Sequence, residues 1–267
     1  MIAAVSLTSL ARSAVAEECC VGIPDHPAMR DGWYLSAGAM WANSNVTANL
    51  STGAVGAAAL IDFENDLGLP ENNVIGLFDA RWHFAKHWKV ELEYFNLDRS
   101  DTKQIERALQ WGNLNIPPTV PVTSTFNLRD IRASIGWSFF RTQDKEVGVG
   151  LGAHVTRLQA SLSTPNLGSD AASQTAPLPF LSLYARLALT DRWLLSMRVD
   201  RLSLTTGNID GKVFASGADI LYQPWRHFGV GLGYRDVNYQ ISSTSSDWRG
   251  EAQIQESGPS LSVVATF

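Results

Sequence analysis

Apolar and polar residues alternate with period two along most of the chain after residue 32, a pattern typical of strands that have one face in an apolar environment. The alternating segments cover residues 33–46, 74–84, 88–94, 131–139, 147–155, 181–189, 193–199, 214–222, 228–234 and 261–267. Short turns are predicted near residues 86, 143, 191 and 225, and long loops at 47–73, 98–123, 162–177 and 243–250, with a shorter one at 206–211. Tight turns on one side and long loops on the other are typical of outer-membrane barrels. The pattern therefore predicts an all-β fold, a transmembrane antiparallel up-and-down β-barrel of ten strands.

Aromatic residues on the apolar face collect beside the short turns. Amphipathic rings favour the membrane interface, so these residues are predicted to form an aromatic girdle. Its members are Trp82, Phe84, Trp88, Trp137, Phe139, Trp193, Tyr222, Phe228 and Phe267. A soluble sandwich or lipocalin-like barrel would give the same period with the apolar face inward. The aromatic ends of the apolar face, and a polar face rich in Gly and Ser, favour the membrane barrel.

The chain ends on the alternating stretch SLSVVATF, with Leu261, Val263, Ala265 and Phe267 on one face. Lipid does not tolerate a free strand edge, so we expect this strand to pair with the first and close the barrel. A terminal aromatic after alternate apolar residues resembles the signal read by the barrel assembly machinery. That machinery and the outer-membrane lipid are the expected partners.

The opposite strand face carries charges of both signs, which closure would enclose. The predicted lumen polar network consists of Asp79, Arg81, His83, Lys89, Glu91, Glu93, Asp130, Arg132, His154, Arg186, Arg198, Asp200, Asp219 and Arg235. An enclosed ion is costly unless it is paired, so we expect salt bridges, such as Asp79 or Arg81 with Lys89 or Glu91 across a short hairpin. The alternative is a narrow polar conduit or solute site. The balanced signs favour the closed lumen, because selective pores tend to carry rings of one sign.

The histidines are poorly placed for catalysis at the outer rim, where envelope substrates would arrive. His83, His87 and His227 lie by the predicted periplasmic turns, His26 precedes the barrel and His154 is in mid-strand. His83 and His154 are expected to join the polar network. We therefore expect no enzyme, no catalytic residues and no cofactor.

Asp62, Glu64 and Asp66, followed by Gly68, resemble the start of a calcium loop. The terminal bidentate Glu of such a loop is missing at the expected spacing, so a solvated acidic loop is favoured over a weak divalent site. Just before it, residues 54–60 are small and apolar and are a candidate plug of the barrel mouth.

The composition bounds the remaining choices. The 267 residues carry a net charge of −5 and no basic run interleaved with aromatics, so nucleic acid is not an expected partner. Residues 1–16 contain an apolar run and end on Ala14-Val15-Ala16, which predicts a signal peptide cleaved before Glu17, although the missing basic segment suggests a true start upstream. Cys19 and Cys20 are adjacent and form neither a disulfide framework nor a CxxC pair, which leaves a bridge to another chain open.

Several stretches carry a family resemblance. They are IDFENDLGL at 61–69, LTDRW at 189–193, YQPWRHFGVGLGY at 222–234, and WRG at 248–250 followed by Gly258-Pro259. Together they resemble a proteobacterial family of outer-membrane β-barrel proteins of uncharacterised function, over roughly residues 33 to 267. More distantly, the architecture resembles the small OmpA/OmpW-type barrels. The resemblance implies an outer-membrane barrel and assigns no catalytic residue.

The sequence thus predicts a signal peptide at 1–16, a periplasmic segment at 17–32 that either crosses the barrel opening or hangs free, and a barrel at 33–267 in a Gram-negative outer membrane. The expected function is a barrel with an occluded, salt-bridged polar lumen and a structural or surface-interaction role. A narrow channel for small solutes is the alternative. An enzyme acting on envelope lipid or peptide ranks third.

Overall fold

The computed structural model describes residues 23–50, 59–244 and 249–267. The expected signal peptide, the cysteine pair and residues 54–58 of the expected plug lie outside these ranges. The described elements are α1 (Pro27–Arg30), β1 (Trp33–Ala48), β2 (Ile61–Asp62), β3 (Asn72–Ala85), β4 (Trp88–Gln104), β5 (Leu109–Trp111), β6 (Leu114–Ile116), β7 (Pro121–Arg141), β8 (Lys145–Thr164), β9 (Gly168–Ala188), β10 (Trp193–Thr206), β11 (Ile209–Tyr222), β12 (Phe228–Thr244) and β13 (Arg249–Thr266).

Ten of the described strands, β1, β3, β4 and β7 to β13, form one closed antiparallel barrel. Each pairs with the next in chain order, and β13 returns to pair with β1 from Tyr34 opposite Thr266 to Ala48 opposite Ala252. The short β2 adds to β1, and β5 and β6 form a separate hairpin. The predicted fold class and its ten barrel strands are confirmed.

The polarity of the strand faces inverts part-way along the barrel wall. On β7, Ile131 and Ile135 face outward with about 40% exposure while Arg132 is buried. Further toward the outer end of the same strand, Asn127 faces outward and Phe126 is buried inside. An apolar outer face suits lipid, and a polar outer face with an apolar inner face suits water. The strands therefore continue beyond the bilayer on the side opposite the chain termini.

This inversion corrects the predicted loops. Residues 162–177 and 243–250 are not long loops: β8 and β9 continue to a turn at 165–167, and β12 and β13 extend to Thr244 and Arg249. The loop predicted at 98–123 is confined to residues 105–120 between β4 and β7. The sequence pattern ended these strands too early because the alternation changes phase at the membrane boundary.

The outward apolar side chains form a belt around the membrane half of the barrel. All nine residues of the predicted girdle lie on this surface at the end with the short turns, and eight of them are 40% exposed or more. Trp82 stacks on Trp33, with ring centroids 5.2 Å apart, and Trp193 packs on Tyr222 at 4.6 Å. Among the described residues, no helix is long and apolar enough to span a bilayer. The exposed belt with aromatic ends places the barrel in lipid, with its short turns toward the periplasm.

Candidate functional site

Ion pairs fill the periplasmic half of the lumen. At their centre is Glu91, which is contacted by Arg81 Nε at 3.0 Å, Lys89 Nζ at 2.7 Å and Arg132 Nη1 at 3.4 Å. Arg81 lies directly opposite Glu91 in the β3–β4 hairpin, so the cross-hairpin pair expected from the sequence is present. Arg132 also donates to both oxygens of Asp200, at 2.7 and 3.3 Å. These contacts tie β4, β7 and β10 together across the lumen.

A second group of pairs lies beside the first. Arg235 contacts Asp79 at 3.1 Å and Glu93 at 3.2 Å, and Arg198 contacts Glu93 at 2.9 Å. The four side chains come from β3, β4, β10 and β12. With Asp219 they line a small polar cavity of about 50 Å³, which has room for only a few water molecules. The two arginines and the two carboxylates of this group therefore neutralise one another across the lumen.

A third group centres on Glu146, which sequence reasoning missed. Its carboxylate accepts hydrogen bonds from Arg186 Nη1 at 3.1 Å and Ser138 Oγ at 2.6 Å, and lies 3.2 Å from His83 Nε2. Ser138 also lies 3.0 Å from the hydroxyl of Tyr184. The signal for Glu146 was present in the sequence: outward Val147 implies that residue 146 points inward. Residue 146 directly follows the predicted turn near residue 143, where the alternation that assigns side chains to a face has only begun.

His154 lies at the top of the charged layer, paired with Asp130. His154 Nδ1 is 2.8 Å from Asp130 Oδ2, and Thr156 Oγ1 donates to the other carboxylate oxygen at 2.6 Å. The imidazole packs against the ring of Phe180, with centroids 4.9 Å apart. His154 is 2% exposed and Asp130 is 1% exposed, so this pair is enclosed by protein on all sides.

Above the charged layer the lumen is mainly apolar, with the buried pairs Arg99–Glu64 and Ser44–Glu256 as exceptions, which corrects the expectation of a polar interior throughout. Phe63, from the loop between β1 and β3, packs on Trp111 of the β5–β6 hairpin and on Phe126 of the wall, with centroids 5.8 and 5.7 Å apart. All three rings are at most 2% exposed. The hairpin is held down by Gly112 N, which donates to Leu50 O at 3.0 Å. The outer half is thus filled like the core of a soluble barrel, because its outer surface faces water.

The acidic loop folds inward as part of this filling. Arg99 of β4 forms a buried ion pair with Glu64, and the other Glu64 oxygen accepts from Val46 N at 2.8 Å. Burial raises the pKa of Glu64 above its ordinary value, against the opposing effect of these hydrogen bonds. Asp66 instead binds Arg107 at the surface. Partial burial acts to raise the pKa of Asp66, but its hydrogen bonds and the nearby charge of Arg107 together outweigh this effect, and the pKa is lowered.

The three acidic side chains of this loop do not converge. Asp62 caps its own turn by accepting from Asn65 N at 2.8 Å, while Glu64 and Asp66 turn to different arginines. Within the described ranges no group of three His, Cys, Asp or Glu side chains is arranged to hold a metal ion. Of the expected plug at residues 54–60, Ala59 and Leu60 are described and are exposed, so the filling comes from the residues that follow.

The periplasmic opening is covered by α1, which resolves the choice left open for residues 17–32 as far as they are described. Ala28 and Met29 are buried against Leu194, Leu221 and Val264. The backbone of the helix is held by Arg186, which donates to Ala28 O at 2.7 Å, and by Arg141, which donates to Met29 O at 2.9 Å.

His26 caps this helix, with Nδ1 accepting from Ala28 N at 3.1 Å. Burial, and then the nearby Arg186 cation, lower the pKa of His26 to about 4, while the backbone of Arg192 and the charge of Asp191 oppose the shift. A neutral imidazole is therefore part of the closed arrangement.

Comparison with known proteins shows similarity in structure only. The chain matches no protein-family model and no curated protein by sequence. It is similar to the outer membrane protease OmpT from Escherichia coli, with a TM-score of 0.55 and 10% identity over 89% of this chain and 97% of that one. The translocator domain of autotransporter NalP from Neisseria meningitidis gives 0.45 and 10% over 91% and 90%, and Ail of Yersinia pestis gives 0.37 and 12% over 89% and 99%. At these identities the likeness to OmpT shows the shared barrel fold.

Proposed function

We propose that this barrel of the Gram-negative outer membrane does not conduct and serves a structural or surface-interaction role in the cell envelope. The observation that supports this is filling at three successive levels of one lumen: α1 at the periplasmic opening, the ion pairs around Glu91, and the apolar packing of Phe63 and Trp111. A solute would have to displace all three. The outer half, in contrast, projects a wall of paired strands into the medium.

Planar-bilayer recording with the purified full chain tests the closed lumen. We expect a flat baseline with no stable steps at voltages at which an open porin conducts. Heat-modifiable migration on SDS gels, run on the same sample, verifies that the inserted protein is folded. Discrete and stable conductance steps from folded protein would overturn the proposal.

Surface display is tested with an epitope inserted at Asn166, in the exposed turn between β8 and β9. We expect antibody to label intact cells, because this turn is at the end of the barrel that extends beyond the outer leaflet. A matched insertion at Asp144, in a short turn at the opposite end, should be labelled only after permeabilisation. The reverse labelling pattern would refute the proposed orientation.

A narrow channel is the second candidate, favoured by the polar cavity among Asp79, Glu93 and Arg235. It requires both α1 and the outer packing to move aside together. The same recordings distinguish the two hypotheses.

We further propose that the chain is not an enzyme. OmpT is a protease, but at 10% identity its activity does not transfer to this chain. The described pair that most resembles catalytic machinery, His154 with Asp130, is buried below the apolar packing, where no envelope substrate has access. Peptide hydrolysis by the purified protein that disappears in His154→Ala, with the fold retained, would contradict this.

A further inference from the structure

Two arginines face each other on the outside of the barrel at the upper limit of the lipid-facing belt. Arg129 of β7 and Arg157 of β8 are direct cross-strand partners, and both are exposed. Like charges directly opposite one another on a sheet are destabilising, whereas opposite charges there are stabilising. An anionic group that contacts both guanidinium groups would offset this repulsion.

The protein itself does not supply that group. Among the described residues, the ion pairs within 4.0 Å include neither Arg129 nor Arg157. Their other cross-strand neighbours are uncharged: Asn96 is opposite Arg129, and Thr175 is opposite Arg157. The nearest outward carboxylate in the ladder is Asp98, which accepts hydrogen bonds from the amides of Asn96 and Asn127.

The height of the pair on the barrel indicates what lies next to it. The outward neighbours two residues toward the periplasm are Ile131 and Val155, also direct partners, with 40% and 44% exposure in the apolar belt. The outward neighbours two residues the other way are Asn127 and Gln159, which are polar and paired with each other. The arginines therefore lie at the boundary between acyl chains and headgroups of the outer leaflet.

A hollow opens on the outer surface directly above the pair. It has a volume of about 400 Å³ and is lined by Thr125, Asn127, Gln159, Ser161 and Ser173, together with alanines. Hydroxyl and amide side chains of this kind suit sugar hydroxyls. Guanidinium groups suit phosphate, because their planar fork donates two parallel hydrogen bonds to its oxygens.

We propose that Arg129 and Arg157 form a binding site for a phosphorylated glycolipid of the outer leaflet. Its phosphate bridges the two guanidinium groups, its sugar occupies the polar hollow above, and its acyl chains lie over Ile131 and Val155 below. The bound phosphate removes the repulsion between the arginines, so the lipid stabilises this part of the wall.

The test compares the wild type, the double variant Arg129→Gln with Arg157→Gln, and the control Arg201→Gln, all in detergent. Arg201 is an exposed arginine on β10. Its cross-strand partners are Leu181 and Phe214, so no second charged residue lies directly opposite it. Native mass spectrometry measures the binding of bisphosphorylated lipid A, dephosphorylated lipid A, phosphatidylglycerol, inorganic phosphate and an acidic peptide. The midpoint of heat-modifiable migration measures stability with and without each lipid.

We expect bisphosphorylated lipid A to bind the double variant ~10-fold or more weakly than the wild type, and Arg201→Gln to bind it within ~2-fold of the wild type. Dephosphorylated lipid A and phosphatidylglycerol should bind the wild type more weakly. Stability is an independent measurement. Without lipid, the double variant should be at least as stable as the wild type, because the repulsion between the arginines is gone. In the presence of lipid A, the double variant should be less stable than the wild type.

Equal affinity of the double variant and the wild type for lipid A would overturn the proposal. So would binding that does not depend on the lipid phosphates. Displacement of lipid A by an equal concentration of inorganic phosphate would indicate a site for free anions, and tighter binding of an acidic peptide would indicate a protein partner. Either result would replace the lipid as occupant.

Discussion

At the scale of single residues, Arg132 shows how the lumen tolerates enclosed charge. Its guanidinium is fully buried and donates to both oxygens of Asp200, with a further contact to Glu91. Transfer of these groups out of water is unfavourable, and only good geometry with several partners offsets it. The pairs therefore specify the arrangement of strands around the lumen, while their net contribution to stability is modest.

Removal of one partner from this network is expected to be more damaging than removal of two. Arg132→Met leaves Asp200 enclosed with Arg198 Nε at 3.3 Å as its remaining cation, and should lower the free energy of unfolding by ~3–5 kcal/mol. Adding Asp200→Asn to that variant should recover part of the loss, because the buried carboxylate that lost its main partner is then neutral. Urea unfolding in detergent, followed by tryptophan fluorescence, measures both. Equal stability of Arg132→Met and the exposed variant Arg201→Gln would show that the pair is dispensable.

At the scale of secondary-structure elements, the sequence pattern located the membrane half of each strand but not its extension beyond the bilayer. On β8, outward Val149 and Leu151 give way to outward Gln159, while buried His154 gives way to buried Leu158. Each strand is a membrane strand in one half and a strand of a water-exposed barrel in the other. The change of phase is a physical marker of the bilayer boundary.

The seam between β13 and β1 leaves no room for an added side chain at Gly258. A Cβ on Gly258 would clash with Trp41 O, whereas a Cβ on Gly76 of β3 would meet nothing within 4 Å. We expect Gly258→Ala to reduce the heat-modifiable folded fraction strongly, and Gly76→Ala to leave it unchanged. Since backbone atoms crowd Gly258, relief requires a shift of the closing strand. Similar folded fractions for the two variants would mean that the seam adapts.

The helix α1 is expected to undock from the barrel opening at acid pH. The undocked His26 has an ordinary pKa of about 6.5 and the docked form about 4, so docking is fully stable above 6.5 and weakens as the pH falls through this window. Protonation at Nδ1 also removes the acceptor for Ala28 N. Protease cleavage after Arg30, followed from pH 7.5 to 4.5 on the full chain, should increase as the pH falls.

His26→Asn is the matched variant for this measurement, because its side chain keeps a capping oxygen and does not titrate. Its cleavage should vary with pH only as much as the protease activity itself does. Cleavage of the wild type that is equally slow at both ends of the range would contradict release of the helix.

At the scale of the whole molecule, the barrel has two interiors in series, one ionic and one mainly apolar, with a helix below them. The outer apolar half is filled from two loops, one carrying Phe63 and one carrying Trp111, and these rings meet only because the wall brings the loops together. The ionic half needs no loop, since its partners all come from barrel strands. Closure of the lumen is therefore redundant.

Redundant closure predicts that opening one level does not open a pore. Replacing Leu109–Ile116 by a short Gly-Ser linker should empty the apolar pocket that Trp111 fills. Detergent-free nanodiscs that carry this variant should then give a higher fluorescence of a hydrophobic dye than nanodiscs that carry the wild type. Conductance should stay absent, because the ion pairs around Glu91 and the helix α1 remain in place. Stepped conductance from this variant alone would show that the outer packing is the only barrier.

The sequence by itself determined the fold class, the ten barrel strands, the outward belt with its aromatic girdle and the inward parity of the charged residues, because period-two alternation records which environment each face meets. It also placed Arg81 and Glu91 among four residues that could pair across a short hairpin, and the register of that hairpin then sets these two opposite each other. Only the tertiary structure decided that Arg132 meets Asp200, that Glu146 gathers His83 and Arg186, and that two loops and α1 close the lumen. Those contacts join segments far apart in the chain, and their geometry depends on barrel closure, which no local pattern encodes.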